Sequence, residues 1–345
     1  MVSIVASGLV TSVGFNSPAS CAAMRAGIRQ VQATNLWDAE SGDYVAAGRV
    51  HLPHWWVGVG KLAELVCPAI EECVRAAEPV PATEIPILLC IPSAQRPCAL
   101  AGFEERLWGE IQQRLDFAIS PDSRLLARDR VSAVLALREA DRLLVDGRFR
   151  CCVVAGVDSL LQQDLVEHYL RQRRVLTTKN SNGFSPGEAG SAVLVAPSGG
   201  GLLGNASIVL EVLGSGLAHE SATIESDEPL RGDGLAQSIK EAMRSSRLTI
   251  QDLHYRITDL NGEHYRFKEM VFAMMRFERK PREKLFDLWH PIEYVGDVGA
   301  AIGPTVLAIA LHAAQKGYCI GPNVLCTFGN DDGARAALVA RAAAA

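Results

Sequence analysis

The side chains of this 345-residue chain that could carry chemistry are nine cysteines, eight histidines and isolated serines. Cys21, Cys67, Cys73, Cys90, Cys98, Cys151, Cys152, Cys319 and Cys326 form an odd set, mostly inside apolar stretches such as PILLCIP and RCCVVAG. That setting predicts reduced, buried thiols in place of disulfides. Cys151 and Cys152 are adjacent in a strand pattern, where alternate residues face opposite layers, so both read as core filling. No Cys-x-x-Cys pair or His-Glu-x-x-His run supplies metal ligands, and GEAGSA at Gly187–Ala192 lacks the lysine and following Ser or Thr of a phosphate loop. Neither a metal nor a cofactor is expected. Ser132 would need a base to act as a nucleophile, and His264 is the one candidate. His290, in LWHPIEY, reads as packing beside Trp289. The run HLPHWW, with His51, His54, Trp55 and Trp56, reads as packing of a helix or as a partner surface.

Positioning such groups requires a sizeable core, and 48% hydrophobic residues can fill one. With 34 basic against 39 acidic residues the net charge is −5, so no global field attracts nucleic acid or an anionic membrane. Small-molecule or protein partners are the expectation. The opening MVSIVASGLVTSVG has no basic stretch followed by a long apolar run, and no segment approaches the roughly 18 apolar residues that span a bilayer. A cytoplasmic location follows as an expectation.

Short β-branched runs (SIVASGL, EIPILLCI, RCCVVAGV, GSAVLVA) alternate with amphipathic stretches, which predicts an α/β fold with buried strands. A helix is predicted from Arg128 to Leu144, with Val131, Val134, Leu135, Arg138 and Arg142 at helical spacing and Gly147 as its stop, and another from Gly303 to Lys316. The glycine cluster PSGGGLLG at 197–204 is the natural joint between halves spanning 1–200 and 201–345 of one compact unit. Residues 189–196 (AGSAVLVA) and 333–340 (GARAALVA) end the two halves alike, sharing four of eight positions.

Several blocks in fixed order resemble the β-ketoacyl synthases of the thiolase superfamily. IVASGLVTSVGFN followed by MRAGIRQV resembles their first strand, loop and helix. ALREADRLLVDGRFRCCVVAGVDSLL resembles the helix behind the nucleophile and the next strand, and GFSPGEAGSAVLVA the structural turn of their GEGAG block. DLNGEHYRFKE and EYVGDVGAAIGPTVLAIA resemble the loops bearing the two catalytic histidines, and CTFGNDDGARAALVA the glycine-rich closing segment. The resemblance spans essentially the whole chain. It implies two duplicated βαβαβαββ halves in a five-layer αβαβα architecture and a homodimer with the segment near Asp122–Arg128 at the subunit contact.

The same resemblance implies that the condensing residues are replaced. Such enzymes acylate a cysteine at a helix N-terminus and use two histidines and a lysine on the developing enolate. Counting back from Gly147 puts Arg130 at the cysteine. Asn261 aligns ahead of the first histidine, so Glu263 takes that place, with His264 one step away as a possible substitute. Gly296 puts Asp297 at the second histidine, and Ile292 falls at the lysine. In the closing loop after Phe328, Asn330 stands for the gatekeeping phenylalanine, followed by Asp331 and Asp332. Arg130, Glu263 and Asp297 are expected to meet as an arginine fork between two carboxylates, filling the former pocket.

Two functions follow from this resemblance. The first is a non-condensing subunit, a dimeric scaffold similar to chain-length factors that partners an active ketosynthase or an acyl carrier protein, or an adaptor for a secretion-system protein. The second is an active acyltransferase or acyl-thioester decarboxylase acting on carrier-protein or coenzyme A thioesters.

Overall fold

The structure, a computed structural model, describes residues 1–53, 58–199, 207–278, 282 and 285–345. The predicted joint at 197–204 and the HLPHWW run therefore lie in part outside the described residues; within that run, His51 is exposed.

The first half comprises β1 (Val2–Val10), α1 (Ser17–Arg25), a β2 (Gln32–Asp38) and β3 (Asp43–Ala47) hairpin, α2 (Gly58–Ala76), β4 (Ile87–Ile91), α3 (Phe103–Arg114), β5 (Arg124–Ala127), α4 (Ser132–Val145), β6 (Cys152–Ser159), α5 (Gln163–Arg171) and β7 (Glu188–Pro197). The second comprises β8 (Ile208–His219), α6 (Asp233–Ser246), β9 (Tyr255–Thr258), α7 (His264–Met274), β10 (Asp287–Trp289), α8 (Ile292–Val295), α9 (Ile302–Gln315), β11 (Asn323–Gly329) and β12 (Ala334–Ala344). Without the hairpin, α1, α5 and α8, each half reads βαβαβαββ.

Among the described residues the strands run β10-β9-β11-β12-β8-β1-β7-β6-β4-β5. Only Ser3 and Ile4 of β1 meet Leu210 and Glu211 of β8, so the assembly is two five-stranded sheets touching at one corner. Each sheet repeats one pattern: the first strand lies antiparallel to the last, the last antiparallel to the penultimate, and the inner strands are parallel. The matching octapeptides thus lie on or directly beside β7 and β12, topologically equivalent strands.

Strand alternation separates the layers. Val193 and Val195 of β7 face a central core with α4 and α9, whereas Leu194 faces α2 and α3. In β12, Leu338 faces the centre and Val339 faces α6 and α7. The result is the expected five layers. Helix α9 occupies the centre because it has almost no polar face: Val306, Leu307, Ile309 and Leu311 are all buried, each side chain contributing roughly 1.5–3 kcal/mol. In α4 the buried stripe is Ala133, Val134, Ala136, Leu137, Ala140 and Leu144. Arg138 and Arg142, which share the helical spacing, are exposed, since their charges gain more from water than from the core. Gly147, at φ 66°, ends this helix as expected.

The nine cysteines are free, and seven are buried; Cys98 is exposed, against expectation, because its loop between β4 and α3 runs over the surface. Cys152 packs in the central core and Cys151 in the outer one, as strand alternation requires. GEAGSA is mostly strand rather than a turn: β7 begins at Glu188, a carboxylate buried against Lys61 and Ser159. No helix among the described residues is long and apolar enough to cross a membrane.

Candidate functional site

The loops at the carboxyl ends of β5, β9 and β11 and the loop before α9 converge on one buried cluster of charges. Arg130 sits in a short 3-10 turn that feeds α4. The turn is set by Asp129 at φ 48° and by Ser132, whose hydroxyl accepts from the Arg128 N–H at 3.0 Å and donates to the Leu126 carbonyl at 2.9 Å. Ser132 is thereby bonded to the backbone on both sides. Glu263 is the N-cap of α7. Asp297 follows Gly296, whose φ of 77° and contact with Pro186 suit glycine, and is held by main-chain bonds to Ser185 and Gly187.

Arg130 Nη2 donates to Asp297 Oδ2 at 2.5 Å, and Nη1 lies 3.7 Å from Asp259 with no hydrogen-bond partner. Asn261 Nδ2 donates to Asp297 Oδ2 at 2.9 Å and to Glu263 Oε2 at 3.1 Å, tying the two carboxylates together. Arg174 grips Glu263 through Nε at 2.7 Å and Asp331 through Nη1 at 2.9 Å. Arg266 donates to the Gly329 carbonyl at 2.7 Å and to Asp331 at 2.9 Å. Three guanidiniums thus face four carboxylates: Asp259, Glu263, Asp297 and Asp331.

The three residues expected to meet do share one cluster, but the expected fork is corrected. Arg130 lies between Asp297 and Asp259, whereas Glu263, at the start of α7, pairs with Arg174 and Arg266. Burial opposes the Arg130 charge, yet Asp297 and Asp259 hold its pKa above the ordinary value. Arg174 is held up likewise by Glu263 and Asp331. Burial would raise Asp331, but Arg266 and Arg174 hold it well below the usual carboxylate range.

Sequence alone does not single out Arg174, Arg266 or Asp259. The signal was the unbalanced charge: two buried carboxylates need more cations than one arginine. Asn330 is buried and links the closing loop to the start of α4, accepting from the Val131 N–H and donating to the Arg128 carbonyl. Asp332 is exposed and caps the Ala334 N–H. Phe328, expected at the pocket, faces the central core because strand alternation turns it there. Ile292 packs in that same core. His264 is exposed at the first turn of α7, where its main-chain N–H donates to Asn182 Oδ1 at 2.8 Å. His290 lies beside Phe267 with its ring 3.7 Å from Glu293. Burial pushes the Cys326 thiol up to about 12.

A cavity of about 300 Å³ opens onto the cluster, lined by Arg96, Asp129, Arg130, His168, Arg174 and Asp331 among others. Four amides nearby are already used. Those of Val131, Gly299, Ala300 and Gly329 donate to Asn330, Asp297, Asp158 and Asp259. None of these four is left for a substrate oxyanion.

No protein-family model and no curated protein matches the chain. Solved structures do. One is a type II polyketide acyl-carrier protein in complex with its ketosynthase bound to a hexaketide (AntDE:AntF), at 12% identity and TM-score 0.80, covering 99% of both chains. Another is the ApeO ketosynthase with its chain length factor ApeC from Xenorhabdus doucetiae, at 12% identity and TM-score 0.73, covering 99% of this chain and 98% of that one. The ishigamide ketosynthase/chain length factor gives 18% identity and TM-score 0.68 over 99% of each chain. The chain has the ketosynthase fold. This ketosynthase-fold protein therefore carries its charge cluster within an architecture shared over nearly its whole length with proteins below one-fifth identity.

Proposed function

We propose that this chain is a non-condensing ketosynthase-fold subunit that works as a dimeric scaffold for a partner, in the manner of a chain-length factor. The observation that carries the reading is the Arg130–Asp297 pair, embedded in a cluster where the amides of Val131, Gly299, Ala300 and Gly329 donate to side chains of the protein itself. By the family resemblance Arg130 stands at the nucleophile, Glu263 and Asp297 at the histidines and Ile292 at the lysine. An arginine takes no acyl group, and two carboxylates repel the enolate that decarboxylation would build beside them. That counts against an acyltransferase or decarboxylase.

The edge strand β5 pairs with β4 on one side only, among the described residues, and offers its other side to a second subunit. A ketosynthase, or the carrier protein serving it, is favoured as partner over a secretion-system protein because solved neighbours of whole-chain coverage include ketosynthases with a chain length factor or carrier protein.

The test is to incubate the folded protein with acetyl-, malonyl- and long-chain acyl-coenzyme A, following its intact mass and the release of thiol and carbon dioxide. No adduct and no release above buffer is the expected outcome. A stable acyl adduct, or turnover that Glu263→Ala or Asp297→Ala abolishes, overturns the reading.

A further inference from the structure

The outer surface of α7 exposes apolar side chains. Residues 264–276 leave seven side chains exposed: His264, Phe267, Lys268, Val271, Phe272, Met275 and Arg276. Four are large and apolar, with Phe267 37%, Phe272 40%, Val271 53% and Met275 68% exposed. Phe267, Val271 and Met275 follow one another at i, i+4 and i+8 and form one ridge, and Phe272 stands on the next. The other three are basic and none is acidic. An apolar stripe of this kind on a surface helix marks a contact surface. The inner side of the same helix is pinned, with Arg266 bonded to Gly329 and Asp331 and Glu269 to Arg335, so the outer face is presented on a rigid support.

We propose that this face docks an amphipathic helix of a partner protein, one whose apolar stripe is flanked by carboxylates. Charge selects this occupant. Lys268 has no ion-pair partner among the described residues, whereas two of the rim acids are engaged, Asp233 with Arg276 at 2.5 Å and Glu278 with Arg282 at 3.7 Å, and Glu293 lies 3.7 Å from the His290 ring. A second copy of this chain would set Lys268 and Arg276 against their own kind. An anionic bilayer is disfavoured by the net charge of −5 over the whole chain. Helix α7 spans about 16 Å, room for roughly three turns of a partner helix in groove-and-ridge contact. The surface is independent of whether the buried cluster retains chemistry, so failure of one does not touch the other.

The experiment uses the full chain and two fluorescent helical peptides with the same leucine stripe, one flanked by glutamates and one by lysines, read by anisotropy beside phosphatidylglycerol vesicles and a sedimentation run. The glutamate peptide is expected to bind at least about tenfold tighter than the lysine peptide and to weaken as salt rises to about 0.5 M. Lys268→Glu and Met275→Glu are each expected to weaken it at least about tenfold, with melting temperature unchanged because both sites are exposed. Equal binding of the two peptides, no binding up to about 1 mM, vesicle binding without peptide binding, or a dimer that these substitutions break would each overturn the proposal.

Discussion

Helices α6 and α7 lie side by side in the same outer layer yet bury opposite kinds of residue. Helix α6 hides Leu235, Ala236, Ile239 and Ala242 and shows Gln237 and Lys240 to water. Helix α7 hides Arg266 and Glu269 among Met270, Ala273 and Met274 and exposes two phenylalanines, a valine and a methionine. The first follows ordinary amphipathic patterning. The second departs from it because its first turn roofs the charged cluster, where each buried ion must find its partner within the fold. Pairing offsets the desolvation cost but rarely adds stability, so such pairs fix one arrangement more than they strengthen it.

The contrast breaks most visibly at Arg174. Arg174→Met would remove one of the two cations that Glu263 and Asp331 share, leaving them Arg266, and is expected to cost about 3–5 kcal/mol by denaturant unfolding. Arg174→Lys keeps the charge but loses the fork, and an intermediate loss is expected. An unchanged midpoint for Arg174→Met would show that the cluster holds nothing.

A smaller, pH-dependent effect is expected next to the cluster. Burial pushes the Asp129 carboxyl from its ordinary 3.8 up to about 6, although Arg96 and the Ser93 amide pull it down. The folded state thus favours the protonated form. The stability Asp129 contributes is full below pH 3.8 and is lost as pH rises through about 6. Asp129→Asn removes that dependence, and asparagine also tolerates the left-handed backbone there. It is expected to stabilise by on the order of 1–3 kcal/mol near pH 7.5 and by almost nothing near pH 4, measured as unfolding midpoints at both values. A gain of equal size at both pH values would remove the buried carboxyl from the account.

The smallest effects sharpen the comparison between the helices. Lys240→Ala on α6 and Val271→Ser on α7 are both expected to change stability by no more than about 0.5 kcal/mol, although one removes a charge and the other an apolar group. A larger loss for Val271→Ser would mean that α7's outer face is packed within the monomer.

Much of the fold was legible because periodicity reports burial. The strand at Ile87–Ile91 and the helix at Ile302–Gln315 are apolar enough to have only one place to go, and the octapeptides ending the two halves mark equivalent strands. The cluster was legible only where sequence order brings a residue to it. Arg130, Glu263 and Asp297 came from ordered motifs, but Arg174 reaches the cluster from the loop after α5 and answers to no spacing rule. Phe328 was misplaced because one step along a strand reverses the face a side chain occupies.

The central claim of the proposed function is that these charges are paired with one another and perform no chemistry, and a thermodynamic cycle on Arg130→Met and Asp297→Asn tests it most directly. The account predicts that Arg130→Met, which takes the paired cation from Asp297 and leaves it the Asn261 and Gly299 hydrogen bonds, costs about 3–5 kcal/mol, and that adding Asp297→Asn recovers at least about 1 kcal/mol of the loss. Stability above that of the unaltered chain for either Arg130→Met or Asp297→Asn alone, as removal of strained catalytic groups commonly gives, would contradict it.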